Sequence, residues 1–198
     1  PLSGVWTGTW RDPRPINPEG PSPENALTGT AFMVNDNLGA NVVVEVPAAE
    51  GQLRFWRDTP GVSTTANVWT GPDETVGYEW DVDLDNGFRP AGLVRLSTTV
   101  ASGVEVMQDG WGSSYAPGTA THHAVFHKRP NGALVFGSGT LQWAWGLDGD
   151  PYQGSNDPGP DMQQATVNLF ADMGVQPATP KAGLQLASAS TDVVPPVS

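Results

Sequence analysis

The sequence predicts an α+β fold that is β-rich, with mainly antiparallel strands and one helix near the C-terminus. Three observations carry this expectation. Short runs of alternating apolar and polar residues recur at roughly 10-residue spacing, the pattern of an antiparallel assembly. The 24 glycines and 19 prolines of the 198-residue chain cut it between those runs. A single segment, 157 to 174, carries the apolar spacing of an amphipathic helix.

The first run, Val5 to Trp10, places Trp6, Gly8 and Trp10 on one face, and Pro13 and Pro15 end it because neither brings a ladder N–H. Pro18, Pro21 and Pro23 extend the loop to Glu24, and Thr28 to Asn35 resumes as a strand. Asp36-Asn37-Leu38-Gly39 turns the chain into expected strands at Asn41 to Val46 and Gly51 to Trp56, with Pro47 to Glu50 between them. Thr64 to Thr70 is rich in β-branched residues, and Gly71-Pro72-Asp73 leads into Thr75 to Trp80. Gly92 to Thr99 alternates, and a short strand follows at Val104 to Met107. Gln108 to Thr119, with Trp111 and Tyr115 among several glycines, reads as a surface loop. Ala120 to Lys128 reads as one strand, and Asn131-Gly132 turns it into Ala133 to Phe136, because Asn-Gly accepts positive φ at both central positions. Thr140 to Leu147 alternates with Leu141, Trp143 and Trp145 on one side. In the helix, Asp157 caps, Pro158 or Pro160 fits the first turn, Met162, Ala165, Thr166, Leu169 and Met173 form the stripe, and Gly174 suits the left-handed C′ position. The helix is expected to lie on a sheet.

These elements read as a single domain over residues 1–186, followed by a Ser/Ala/Pro-rich linker at 187–198. Pro1 in place of an initiating Met and the Val-Val-Pro-Pro tail read as ends cut from a longer polypeptide, so the expected partner is an upstream segment of the same parent. Nine basic residues against 21 acidic ones, a net charge of −12, oppose binding to nucleic acid or anionic lipid. No apolar run reaches 18 residues, so no membrane span is expected. The absence of cysteine removes disulfides, thiolate metal sites and thiol nucleophiles. Little lysine and much Thr, Ser, Gly and Asp point to an extracellular or cell-surface protein of bacterial type.

Chemistry concentrates in residues 77–92. Glu79, Asp81, Asp83 and Asp85 recur at every second position, so an extended backbone puts all four on one face and Tyr78, Trp80, Val82 and Leu84 on the other. Such a row of like charges persists if it is hydrated, if Arg89 answers it, or if a cation sits in it. Asp81, Asp83 and Asp85 match the first three ligand positions of a calcium loop, although Asn86 and Gly92 stand where that loop needs glycine and a bidentate glutamate. Structural calcium on Glu79, Asp81, Asp83 and Asp85 and a solvated turn held by Arg89 therefore both remain open. His123 and His127 share a face of their run and His122 takes the other, from which it could meet Glu79 and Asp81 as a general acid or base. Eight tryptophans admit a carbohydrate-binding surface, with Trp111 the one in an obvious loop. No Gly-x-Ser-x-Gly, His-Glu-x-x-His, Walker or dinucleotide pattern occurs, and Gly137-Ser138-Gly139 reads as a place of close backbone packing.

Several longer stretches carry a family resemblance. Gly8-Thr9-Trp10-Arg11-Asp12-Pro13-Arg14, Glu24 to Thr30, Gly77-Tyr78-Glu79-Trp80-Asp81, Asp85 to Gly92, Gly132 to Gly137, Gln142 to Asp148 and Met162 to Pro177 are similar to the C-terminal region of N,N-dimethylformamidase large-subunit-like proteins. The resemblance implies the latter part of a glutamine-amidotransferase-like α/β domain from large secreted bacterial proteins. It also implies metal-assisted hydrolysis of a small amide in the intact parent, at an iron held by tyrosine and glutamate. The glutamate matches Glu79, and the tyrosines would come from the segment preceding Pro1. To this the residues themselves add Asp81 as a carboxylate behind Glu79 and His122 as acid or base. The alternative is a non-catalytic secreted module, structural or glycan-binding, rigidified by calcium.

Overall fold

A computed structural model of the chain describes residues 10–15, 17, 20–36, 42–109, 114–149 and 158–188. Of the expected strand at Val5 to Trp10, all but Trp10 is outside these residues, as are residues 37–39 of the expected turn at 36–39, Asn41 of the strand after it, Trp111, the Asp157 cap and the tail from 189 on. The described part is β-rich with a C-terminal helix, the α+β arrangement expected. Every strand pairing is antiparallel, so the described residues contain no parallel α/β crossover of the amidotransferase-like kind.

Helical turn α1 (Asn25–Thr28) ends at Gly29, whose φ of 90° closes the turn, and leads into β1 (Ala31–Asn35). Strand β2 (Glu45–Pro47), α2 (Ala48–Gly51), a 3₁₀ turn at Arg54–Trp56, α3 (Pro60–Ser63) and β3 (Val68–Thr70) follow. Then come β4 (Glu79–Val82), β5 (Val94–Arg95), β6 (Thr99–Met107), β7 (Tyr115–His122), β8 (Val125–Lys128) and β9 (Leu134–Gly137). A second 3₁₀ turn, Gln142–Gly146, precedes the long helix α4 (Pro160–Asp172).

Strands β1, β4, β7 and β6 close into a small barrel in that order. Its seams are uneven. Strands β6 and β7 pair along their length, whereas β4 meets β7 only at Val82 opposite His122, and β1 meets β6 only at Val34 opposite Val106. Strand β5 pairs with β8, β8 with β9, and β2 with β3 in two further sheets. The β8–β9 hairpin turns at Asn131-Gly132 as expected, but only Gly132, at φ 87°, is left-handed: Gly132 N–H donates to Arg129 O, so the turn spans Arg129 to Gly132 rather than placing both Asn131 and Gly132 at positive φ. Helix α4 also ends as expected: Gly174 is at φ 78°, Gly174 N–H donates to Ala171 O and Val175 N–H to Phe170 O, the paired bonds of a Schellman motif. Met162, Ala165 and Leu169 of its stripe are buried, whereas Met173 is exposed.

The helix packs on the 3₁₀ turn at Arg54–Trp56 rather than on a sheet, and buried Asn168 fixes it there by donating to Phe55 O and Arg57 O. Three expected strands take other forms. Gly51 to Trp56 instead closes α2 and forms the 3₁₀ turn, which brings Phe55 and Trp56, adjacent in sequence, both into the core, where a half-exposed alternating strand would bury only one. Thr140 to Leu147 becomes the second 3₁₀ turn, tucking Trp143 against Phe136 at 5.2 Å between ring centroids. Ala120 to Lys128 divides in two, because Ala124 bonds back to the β5–β6 connection through Ser97 Oγ and Leu96 N–H. Conversely, the expected loop at 114–119 is the start of β7, and Pro117 is tolerated where β7 has no neighbour on its β4 side.

Candidate functional site

Strand β4 carries the first half of the acidic row. Trp80 is fully buried and its ring meets that of His122 edge to face at 6.0 Å. Glu79 and Asp81 alternate with Trp80 and so project to the other side of β4. There they line a cleft of about 430 Å³ with Thr28, Thr30, Phe32 and the turn Gly137-Ser138-Gly139. The turn is bonded to the strand: Asp81 N–H donates to Gly139 O at 2.8 Å, and Thr140 bridges Trp80. Close packing is what these glycines provide. A Cβ on Gly137 would lie 2.5 Å from Thr28 O, and one on Gly139, at φ 68°, would lie 2.8 Å from His122 Nε2.

Burial pushes the Asp81 carboxyl above the ordinary range, and the Thr30 hydroxyl, donating at 2.9 Å, and the Arg11 charge offset this only in part. Asp81 thus holds its proton more tightly than a solvated aspartate. Arg11 is itself fixed by Glu24, which also accepts Phe32 N–H.

The second half of the row diverges. Burial alone would raise the Asp83 carboxyl, but hydrogen bonds from Arg89 and Arg95 and their charges hold it below the ordinary range. Arg89 donates to both oxygens at 2.7 and 2.9 Å, and Arg95 Nε donates to Oδ2 at 2.9 Å. Asp85 is exposed beyond the end of the strand. Of the ways to relieve the row, the structure therefore contains the arginine answer, supplied by Arg95 as well as Arg89. Among the described residues no three His, Asp or Glu side chains come together as ligands of one ion. A calcium ion on Asp81, Asp83 and Asp85 would compete with two guanidiniums for Asp83.

All three histidines are buried. His122 does not meet Glu79 in the cleft. It stands opposite Val82 on the Trp80 side, behind the 137–139 turn, with Nε2 2.9 Å from Ser138 O. That carbonyl can only accept, so Nε2 carries the proton. Burial pushes His122 down to about 4, against the Ser138 bond, and burial with the Arg95 charge does the same to His123. Both rings are neutral at pH 7. His127 Nε2 lies 3.1 Å from Leu27 O.

Most described tryptophans serve the core, where Phe55, Trp56, Trp69, Phe136 and Trp143 form one aromatic cluster. Among the described residues Trp10 is the exposed one, with its Nε1 donating to Glu24. Thr30 and the 137–139 turn were not legible as site components from sequence; the signal available was the Gly-Ser-Gly itself, a spacing that admits another strand at close range.

A family model described as N,N-dimethylformamidase beta subunit-like, C-terminal matches residues 2–158, which include the acidic row, the cleft turn and His122. The match stops short of α4, which the sequence resemblance takes in. No curated protein and no solved structure matches the chain.

Proposed function

The chain belongs to the N,N-dimethylformamidase beta subunit-like, C-terminal family, and from that premise we propose that the Glu79–Asp81 cleft is its contribution to a small-amide hydrolase in an intact parent polypeptide. The observation that carries the reading is the sharing of one cleft by two carboxylates of β4, one of them driven towards its protonated form. Glu79 offers carboxylate oxygens to the cleft, and Asp81, its carboxyl raised by burial, is the group suited to give a proton to an amide nitrogen as it leaves.

A hard cation fits these residues in kind. Glu79, Asp81, Thr28, Thr30 and Ser138 present oxygen donors only, the set suited to iron or another hard metal. In number they fall short, because two carboxylates are fewer than the three protein ligands usual at a catalytic metal. Glu79 would be the ligand and Asp81 its neighbouring carboxyl, with the remaining ligands supplied by the parent from outside the described residues. When bound, such a metal supplies Lewis acidity to water and to the amide carbonyl. His122 acts in this reading as a positioning residue: its Nε2–H holds Ser138 O and so fixes the turn that floors the cleft.

The test is the pH–rate profile of the parent protein on N,N-dimethylformamide, followed by release of dimethylamine. Asp81→Asn should lower kcat with little change in KM and remove one limb of the profile. A profile identical to that of the unsubstituted protein would remove Asp81 from the chemistry.

A further inference from the structure

The uneven closure of the barrel leaves a second depression. Where β4 and β7 part after Val82 and His122, a groove of about 600 Å³ opens, lined by residues of all four barrel strands. Its apolar wall is Met33, Val82, Val100 and Val106, and Val100 is 59% exposed there although it is a valine within a strand. Its polar lining is Arg95, Thr98, Thr119, Thr121 and His123, with Asp83 held beneath Arg95.

This lining is built rather than accidental. Arg95 has a half-exposed side chain, yet its Nε is pinned to the fully buried carboxylate of Asp83, which Arg89 grips on its other flank. One anion thus orients two guanidiniums, and among the described residues no acceptor meets the Nη groups of Arg95. Those groups are the fork that recognises carboxylates in pairs of parallel hydrogen bonds. His123 is 5% exposed, and its Nδ1 has no partner among the described residues. Glu50 also lies in the field of Arg95, but its carboxyl takes the Thr98 hydroxyl at 2.6 Å and is raised by burial.

We propose that this groove is a binding site for a small organic carboxylate with a short branched apolar body, its head group on the Nη groups of Arg95, beside His123, and its body on Val82, Val100 and Val106. Charge complementarity selects the head group, and the exposed valine wall selects the body. The site lies across the barrel seam from the Glu79–Asp81 cleft and does not depend on the function assigned there.

The probe is 3-methylbutanoate, titrated into the isotope-labelled full chain and followed by backbone amide NMR, with 3-methylbutanamide and inorganic phosphate as comparisons. The carboxylate should give saturable shifts centred on Val82 to Leu84 and Thr119 to His123, while the amide should bind at least tenfold more weakly and phosphate should not displace the carboxylate. Arg95→Gln should weaken binding by tenfold or more, with Arg89 still satisfying Asp83. Val100→Glu, an exposed position, should do the same by placing a carboxylate in the groove. No saturable shift, equal binding of the amide, displacement by phosphate, shifts centred elsewhere, or unchanged affinity in the folded variants would each overturn the proposal.

Discussion

Acidification offers a quantitative test of the packing behind the cleft, because His122 is neutral and sealed in the fold but free to take a proton when unfolded. Burial holds its folded pKa at about 4, against 6.5 in the unfolded chain. A base with a depressed folded pKa contributes its full stability above the unfolded value and loses it as pH falls towards the folded value. The window therefore runs from pH 6.5 down to about 4. The drop from 6.5 to about 4, at roughly 1.4 kcal/mol for each tenfold change, corresponds to about 3.5 kcal/mol, of which about 2.5 kcal/mol is already lost at pH 4.5. That is a large part of the ~5–15 kcal/mol typical of a domain. His123 acts in the same direction, whereas Glu50, Asp81 and Asp161, raised by burial, stabilise the fold as they are protonated and so act in the opposite one. Subtracting a His122→Gln variant isolates the one residue. Urea unfolding followed by tryptophan fluorescence, at intervals from pH 7.5 to 4.5, should show the unsubstituted chain losing roughly 2–3 kcal/mol more than the variant over that range. Equal losses in both proteins would refute the assignment of a sealed, neutral His122.

Three further outcomes follow from the same geometry. Arg89→Ala removes the two-pronged partner of the buried Asp83 carboxylate and should cost roughly 2–4 kcal/mol in urea unfolding, less than a fully orphaned charge because Arg95 remains. Gly139→Ala forces a side chain into positive φ and against His122 and the His123 carbonyl, and a loss of about 2–4 kcal/mol with displaced His122 imidazole NMR signals is expected. Asn168→Ala strands the carbonyls of Phe55 and Arg57 beneath α4, and thermal unfolding should register about 2–3 kcal/mol.

Those parts of the fold governed by local chemistry were legible in the sequence. The Asn131-Gly132 hairpin and the Gly174 helix end follow from glycine geometry, and both form as expected. The alternation of Glu79 and Asp81 about Trp80 survives because β4 is a regular strand over those residues. What could not be read locally was decided by tertiary demand. Phe55, Trp56 and Trp143 join one aromatic cluster, and the 3₁₀ turn brings both adjacent rings, Phe55 and Trp56, onto it whatever the alternation around them. Pro117 argued for a loop, but the gap between β4 and β7 relieves it of pairing on one side. The separation of Glu79 from His122 has a similar origin: the strand partner of His122 is Val82, and the parity of that pairing puts the imidazole with Trp80. Arg95 was invisible as a partner of Asp83 because the two are joined through the β5–β8 sheet rather than through neighbouring residues.

The most direct test of the cleft as the seat of chemistry is the turnover of N,N-dimethylformamide by the parent protein carrying Glu79→Gln, set beside Asp85→Asn. Both change one carboxylate of the row to its amide, but Glu79 lines the cleft and Asp85 is exposed beyond the strand. The account predicts loss of dimethylamine release with Glu79→Gln and unchanged release with Asp85→Asn. Full activity with Glu79→Gln in a folded parent would contradict it.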